Sequence, residues 1–511
     1  MNIHKVLHAL FIFLMGLYLF VGLHVFSDYG VSIDEYSQID LGRVNLARLQ
    51  GSMEIQYHYD RYYGPAFEMP LYLFSRTVAP CFGISEMDGR HLGVFLFFFV
   101  SLIPWYLLLS KLFKHPAYGL LGTLLLVLYP RFFAEAFYNT KDMVFTAETI
   151  WFMAALYALL SRNTRGWIAL AGILGISIAT RAQGLFLFGI SGLVLFSEDR
   201  PLRKKLKTFA LITAVTAAVT FVLFPVFWNN PLQNMIGFWK SSANEVGAPT
   251  WFMGTLRISP DLPWYYHDVW IAISSMLSVL TLTLAGTYYA VRNGIRNRWT
   301  AEYRSIAACL GIIFGTLFVS ALFHPRSYDG WRHIYYVYPP MIVLSLYAVS
   351  ELIKLSKNIA GHLLLIGIGL FLATDIVASL FFIITTHPNE HVYFNPLVGT
   401  YTTAKKQFDF DYWGISQKQL LGYLQTISAN AGTRVWFDQK LPYTTAVLIP
   451  ALEARGMSVV ENPDDADILI LINRDFRYVP SSQFRKAFAV TVFGADLSAV
   501  YVKPVHQYPG K

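Results

Sequence analysis

The chain reads as a succession of apolar runs separated by short polar breaks. The first run, 7–25, is long enough to cross the hydrocarbon core of a bilayer. Others follow near 92–110, 117–135, 143–160, 167–180, 184–197, 208–228, 269–291, 305–323, 334–353 and 362–384. At the usual span length they predict about eleven transmembrane helices. The runs 167–180 and 184–197 are short, yet fusing them would give a helix roughly 45 Å long, well beyond the hydrocarbon core, so two spans are predicted. After residue 385 the pattern changes. Segments 434–437, 458–460, 468–472, 488–492 and 499–502 read as strands, and 442–455 as a helix ended by Gly456. The predicted fold class is an α-helical polytopic membrane protein with a small C-terminal α/β domain. It divides into a membrane part, 1–395, and an appended domain, 396–511.

Composition agrees with that pattern. Of 511 residues, 55% are hydrophobic and 14% charged, and the mean hydropathy is +0.43; a soluble domain carries about a quarter charged residues. The net charge of +8 does not point to nucleic acid, because the basic residues gather in short loops between apolar runs. With the N-terminus inside, Lys111/Lys114, Arg162/Arg165, Arg203-Lys204-Lys205, Arg292/Arg296/Arg298 and Lys354/Lys357 all fall on the cytoplasmic side. Segments 28–90 and 229–268 and everything after 385 then lie outside, which is the periplasm if the cell is Gram-negative. The expected location is the inner (plasma) membrane. No small-residue cleavage site follows the first run, so it is read as a retained anchor. Cys81 and Cys309 stand in unrelated contexts and suggest neither a disulfide framework nor a cysteine metal site.

Candidate chemistry lies at the outer ends of the spans. Asp34-Glu35 follows the first run, where a carboxylate could cap the next helix or act as a general base on a substrate presented from outside. Arg131, Lys141-Asp142, Arg181 with Gln183, Arg326 and Arg332-His333 sit singly in short outer turns, against the charge bias. A lipid-borne phosphate would give such arginines a reason, since guanidinium pairs bidentately with phosphate oxygens; local pairing, for example of Lys141 with Asp142, is the alternative. The outer loop 229–268 is rich in aromatic residues, including Pro263-Trp264-Tyr265-Tyr266-His267, which suits an interfacial segment beside a lipid chain. His267, His324, His333, His387 and His391 match no standard zinc spacing. No cofactor is therefore indicated, and a divalent metal is left open. No nucleotide-binding motif is present.

Taken together, these residues resemble the GT-C membrane glycosyltransferases, the broad group that contains protein O-mannosyltransferases and the aminoarabinose transferases acting on lipid A. The resemblance is carried by Ile33-Asp34-Glu35, by Arg131 with Asn139, Lys141 and Asp142, by the short helix pair around Arg181, and by Pro263-Trp264-Tyr265-Tyr266. It covers roughly residues 1–395. The aromatic-Asp-Glu-Val-His form of the mannosyltransferases and their inserted β-trefoil are lacking. Tyr328-Asp329-Gly330-Trp331-Arg332-His333, Tyr393-Phe394-Asn395 and Asp411-Tyr412-Trp413-Gly414 suggest a separate bacterial branch. The resemblance implies an inverting transfer of sugar from a polyprenyl phosphate to a glycan, lipid or protein acceptor outside the cytoplasm. Within it Asp34, Glu35 and Asp142 form the expected catalytic set: Asp34 as base, Asp142 orienting the acceptor or holding Lys141, Glu35 positioning the loop. Arg131, Lys141, Arg181, Gln183, Tyr265, His267, Arg332 and His333 form the expected donor-binding set. The C-terminal domain is expected to lack catalytic groups. A transporter or flippase for lipid-linked saccharides is the main alternative, and a non-catalytic assembly protein the third.

Overall fold

The computed structural model describes residues 3–244, 248–258, 261–296, 299–323, 327–427, 432–472 and 478–504. Arg298, His324 and Arg326 lie outside the described residues. The membrane part is built from α1 (Ile3–Val25), α2 (Glu35–Leu49), α3 (Pro65–Leu73), α4 (Glu86–Leu112), α5 (Pro116–Val127), α6 (Pro130–Tyr138), α7 (Asp142–Leu160), α8 (Gly166–Thr180), α9 (Gly184–Phe196) and α10 (Leu202–Leu223). It continues through α11 (Pro231–Asn244), α12 (Tyr266–Ser274), α13 (Leu277–Arg296), α14 (Ala301–Phe323), α15 (Tyr338–Leu355) and α16 (Ile359–Thr386).

Every apolar run singled out above is helical, so the molecule is a multi-pass helical membrane protein. The tally of spans is lower than about eleven. Among the described residues seven helices are long and apolar enough to cross a membrane, or eight if α5 and α6 count as one bent span. The difference comes from broken and short helices and from α13, which is 20 residues long but not among those apolar enough to cross. The run 117–135 bends by 69° between α5 and α6, where Pro130 starts a new helix without a backbone N–H to extend the old one. The run near 269–291 breaks between α12 and α13. There the Asn395 side chain donates to the carbonyls of Ala272 (2.6 Å) and Ser275 (2.8 Å), closing the end of α12. Asp375 of α16 accepts from the Ser278 amide (2.8 Å) and hydroxyl (2.6 Å), closing the start of α13. Backbone groups left unpaired in hydrocarbon cost several kcal/mol each, so both caps are required where they stand. The runs 167–180 and 184–197 form the separate helices α8 and α9, too short to qualify by length.

The loop 229–268 holds more structure than an aromatic interfacial segment. It contains α11 and a hairpin, β1 (Pro249–Phe252) with β2 (Thr255–Ile258), turning at Met253-Gly254 with φ of 52° and 79°.

Past α16 the chain forms α17 (Tyr401–Gln407), α18 (Gln417–Thr426) and a five-stranded sheet. Its strands are β3 (Arg434–Phe437), β4 (Ser458–Val459), β5 (Ile468–Leu471), β6 (Arg485–Val492) and β7 (Ala495–Val502), in the order β4-β3-β5-β7-β6. β3 runs parallel to β4 and β5, while β7 is antiparallel to β5 and β6. Central β5, Ile-Leu-Ile-Leu, is buried along its whole length, as a strand covered on both faces must be. Apolar side chains of this sheet, including Val435, Ile470 and Val500, are continuous with the buried core of the helical part.

Candidate functional site

Four chain segments meet at one end of the helix bundle: the start of α2, the α6–α7 junction, the α8–α9 turn and the approach to α15. Each carries its polar group for a local reason. Asp142 is the first residue of α7, where the helix dipole favours a carboxylate. Asn139 fixes it by accepting from its amide (2.8 Å) and donating to its Oδ2 (3.1 Å). Arg181 follows the last residue of α8 in extended conformation, which turns its side chain out of the helix. The chain reverses at Asp329-Gly330, both at positive φ (57° and 75°). At Gly330 that backbone demands a residue without a Cβ. The reversal brings the Asp329 carboxylate back to Arg332, Nη2 to Oδ2 3.1 Å.

The result is an ion network centred on Arg332. Its Nη1 donates to Asp34 Oδ2 (3.3 Å) and to Asp142 Oδ2 (3.2 Å), and its Nη2 to Asp329. Arg181 donates to the other oxygen of Asp142 and through Nε to Gln183 (3.3 Å). Three carboxylates therefore face two guanidinium groups. The Lys141 ammonium lies next in sequence to Asp142 and sits 5.1 Å above the ring of Tyr63. The Arg332 guanidinium lies between aromatic faces, 4.5 Å from the Trp413 ring centre and 5.0 Å from that of Tyr328. Asp60 faces the same charges. Burial raises its pKa and Asp34 adds to the rise, against the opposing pull of Lys141 and His58.

Behind the network is a second, buried one. Arg131, Glu135 and Asn139 lie four residues apart along α6 and its end, hence on one face. Glu135 accepts from Tyr335 (2.7 Å), Tyr412 (3.2 Å) and Asn139 (2.8 Å). Arg131 donates to the Tyr412 hydroxyl (3.2 Å) and the Tyr393 carbonyl (3.0 Å).

Of the residues expected from the sequence, Asp34, Asp142, Arg181, Gln183 and Arg332 come together directly, with Lys141 alongside. The ion pairs of Asp142 run to Arg181 and Arg332, and among the described residues none joins it to Lys141. Glu35 is fully buried in the wall. It accepts from the Ser32 amide (2.6 Å) and lies 3.1 Å from His91 Nε2. Arg131 belongs to the buried layer, over the rings of Trp270 (5.6 Å) and Phe394 (5.2 Å). His267 is hydrogen-bonded to Ser327 (3.0 Å), and burial pushes its imidazole down to about 4. Tyr265 packs on Trp264 (5.5 Å) and Phe252 (6.1 Å), outside the network. His333 stands edge-on to Tyr328 at 4.7 Å. Among the described residues no group of three or more His, Cys, Asp or Glu side chains could hold a metal ion. Sequence reasoning missed Asp329, Glu135, Tyr335, Tyr412 and Trp413. The unusual runs 328–333 and 411–414 were the available signal, as was the four-residue spacing in α6.

No protein-family model matches the sequence, and no curated protein matches it by sequence comparison. Among solved structures the chain is similar to ArnT from Cupriavidus metallidurans in the apo state, at 14% identity and a TM-score of 0.48, over 95% of this chain and 97% of that one. It is similar to the same protein bound to undecaprenyl phosphate, at 14% identity and a TM-score of 0.49, over the same shares. A further similarity is to the arabinofuranosyltransferase AftD from Mycobacteria, at 12% identity and a TM-score of 0.39. It covers 84% of this chain but only 34% of that one.

Proposed function

We propose that this chain is a GT-C-like glycosyltransferase of the inner membrane. It would move a sugar from a polyprenyl-phosphate donor to a glycan, lipid or protein acceptor on the extracytoplasmic face, with inversion. The observation that carries this reading is the Arg332 network: two guanidinium groups and three carboxylates, gathered from four distant segments at one end of a membrane bundle. A structural ion pair needs no such convergence, and burying several charges together is costly, which is why such clusters point to functional sites.

The chemistry follows from burial. Asp142 and Asp329 are almost completely buried, whereas Asp34 keeps 26% of its side chain exposed. Asp34 is thus the carboxylate that an arriving phosphate displaces from Arg332. The phosphate gains the guanidinium of Arg332 beside that of Arg181, and Asp34 is released toward the acceptor. The acceptor O–H or N–H gives its proton to Asp34 as its heteroatom bonds to the anomeric carbon. The bond from that carbon to the phosphate oxygen breaks, and polyprenyl phosphate leaves with its charge held by the two arginines. Asp142 keeps both arginines in register, Glu35 fixes the start of α2, and Lys141 with Gln183 lines the donor side. The N-terminus is assigned to the cytoplasm. Of the appended domain, divided from the membrane part at 395/396, the turn 411–416 lines the site and the sheet beyond it is given the task of acceptor selection.

The decisive experiment compares lipid-linked sugars and envelope glycans in a deletion strain complemented with wild type or with Asp34→Asn. Accumulated donor and a missing glycan decoration in both the deletion and the Asp34→Asn strain are expected. A deletion in which the decoration is lost while the lipid-linked saccharide accumulates on the cytoplasmic face, instead of the outer face, would mark a flippase.

A further inference from the structure

The segment that follows the last span does more than connect the appended domain. Asp411 accepts from the amides of Ile415 (3.1 Å) and Ser416 (3.1 Å) and from His391 Nε2 (2.8 Å), closing a tight turn over 411–416. Burial would raise the Asp411 pKa, but the His391 hydrogen bond and charge, with Ser416, hold it below the usual range. The turn presents two rings to the site: Tyr412 bridges Arg131 and Glu135, and Trp413 lies against Arg332. Trp413 is buried, and its backbone carbonyl accepts from the Ile33 amide (3.1 Å), next to Asp34.

We propose that Trp413 is a positioning residue for the lipid-phosphate site. Its ring fixes the plane of the Arg332 guanidinium so that Nη1 points at the position shared by Asp34 and the donor phosphate. The inference rests on the functional reading above. A guanidinium has five donors but no intrinsic preference for one rotation about its long side chain. With three carboxylates around it, Arg332 could settle in several pairings. An indole face 4.5 Å from the guanidinium restricts that freedom while leaving every N–H edge available, which an additional hydrogen-bonding group would not do.

The test uses the full chain in nanodiscs, with undecaprenyl phosphate as the probe. Trp413→Met keeps apolar bulk but removes the ring face, Trp413→Phe keeps a ring face, and Trp413→Leu replaces the Met variant if that fails to insert. The Met variant is expected to bind the probe roughly 2- to 30-fold more weakly, the range of a partly to fully desolvated cation–π contact, with the Phe variant recovering most of the loss. Arg332→Lys combined with Trp413→Met should bind no worse than Arg332→Lys alone, because an ammonium has no plane for the ring to fix. Wild-type binding by the Met variant, or losses that multiply in the double variant, would overturn the proposal. If the wild type itself ignores the probe, the donor reading falls. A cryo-EM structure of the Met variant then decides the positioning role: a guanidinium displaced from Asp34 or Asp142 supports it, and an unmoved one overturns it.

Discussion

Asp34 and Arg332 make the most direct predictions at the scale of single residues, because their contacts are few and specific. Asp34→Asn keeps shape and the ability to accept from Arg332 but removes the basicity. Transfer should fall roughly a hundredfold to ten-thousandfold, with insertion and probe binding retained; a rate assay on the purified variant measures this, and near-normal turnover removes Asp34 from the role. Arg181→Lys and Arg332→Lys preserve charge but lose the planar fork that bridges two acceptors, so each should weaken donor use and neither should substitute for the other. Titrating initial rates against donor concentration checks this, and an unchanged apparent affinity in both would make them structural. Asp34, Arg181 and Arg332 were legible in the sequence because an ionised group beside an apolar span needs an explanation. Asp329 and Trp413 were visible only as members of the unusual runs 328–333 and 411–414, which carry no spacing that ties either residue to Arg332.

Among elements, the first outer segment and the segment after α16 behave as one unit. His387 donates to Glu390 (2.6 Å) and Asp28 (3.0 Å), Tyr29 to Glu390 (3.4 Å), and Lys418 to the carbonyls of Ser27 and Tyr29. Gly30 packs so closely that an added Cβ would collide with the Ile415 carbonyl oxygen. Gly30→Ala should therefore push the two segments apart and lower both activity and thermal stability, with a ΔΔG of about 1–3 kcal/mol, as for other overpacked sites. A melting curve indistinguishable from wild type would contradict that packing. The His387 clamp adds a pH dependence. Burial lowers its pKa, but Glu390 and Asp28 outweigh burial and raise it above the ordinary value. A raised histidine gives stability that is present in full below its unfolded pKa near 6.5 and lost as pH rises through the folded value. Hydrogen exchange of residues 27–33 should accordingly quicken from pH 6 to pH 8.5 beyond the intrinsic rate, and Asp28→Asn should reduce the difference. The helices and strands were readable from periodicity, but this pairing was not. The breaks at Pro130 and Ser275 also escaped, because hydropathy sees an unbroken apolar run whether or not Asn395 and Asp375 cap an interruption from far along the chain.

For the whole molecule, the sheet and the bundle share a core, yet past the membrane part the site draws on the turn 411–416. A chain ending at Ile427 keeps Tyr412 and Trp413, and should insert and hydrolyse donor while losing transfer to the native acceptor. Transfer that survives this truncation would leave the sheet dispensable, and loss of hydrolysis in a correctly inserted chain would assign it more than acceptor choice. The two-part architecture was visible in the change of pattern near residue 385, whereas the return of 411–416 into the site depends on contacts across almost the entire chain. Those contacts also set an order in time. At roughly 5–20 residues per second, ribosomes make Ile33 some 20–75 seconds before the Trp413 that binds it. Throughout that interval Asp34 waits without the turn, and Arg181 and Arg332 join it only as their own segments are made. On the proposed function, a nascent chain is then expected to reach full donor affinity only after synthesis passes this turn, and a chain released upstream of it to insert with weakened donor binding.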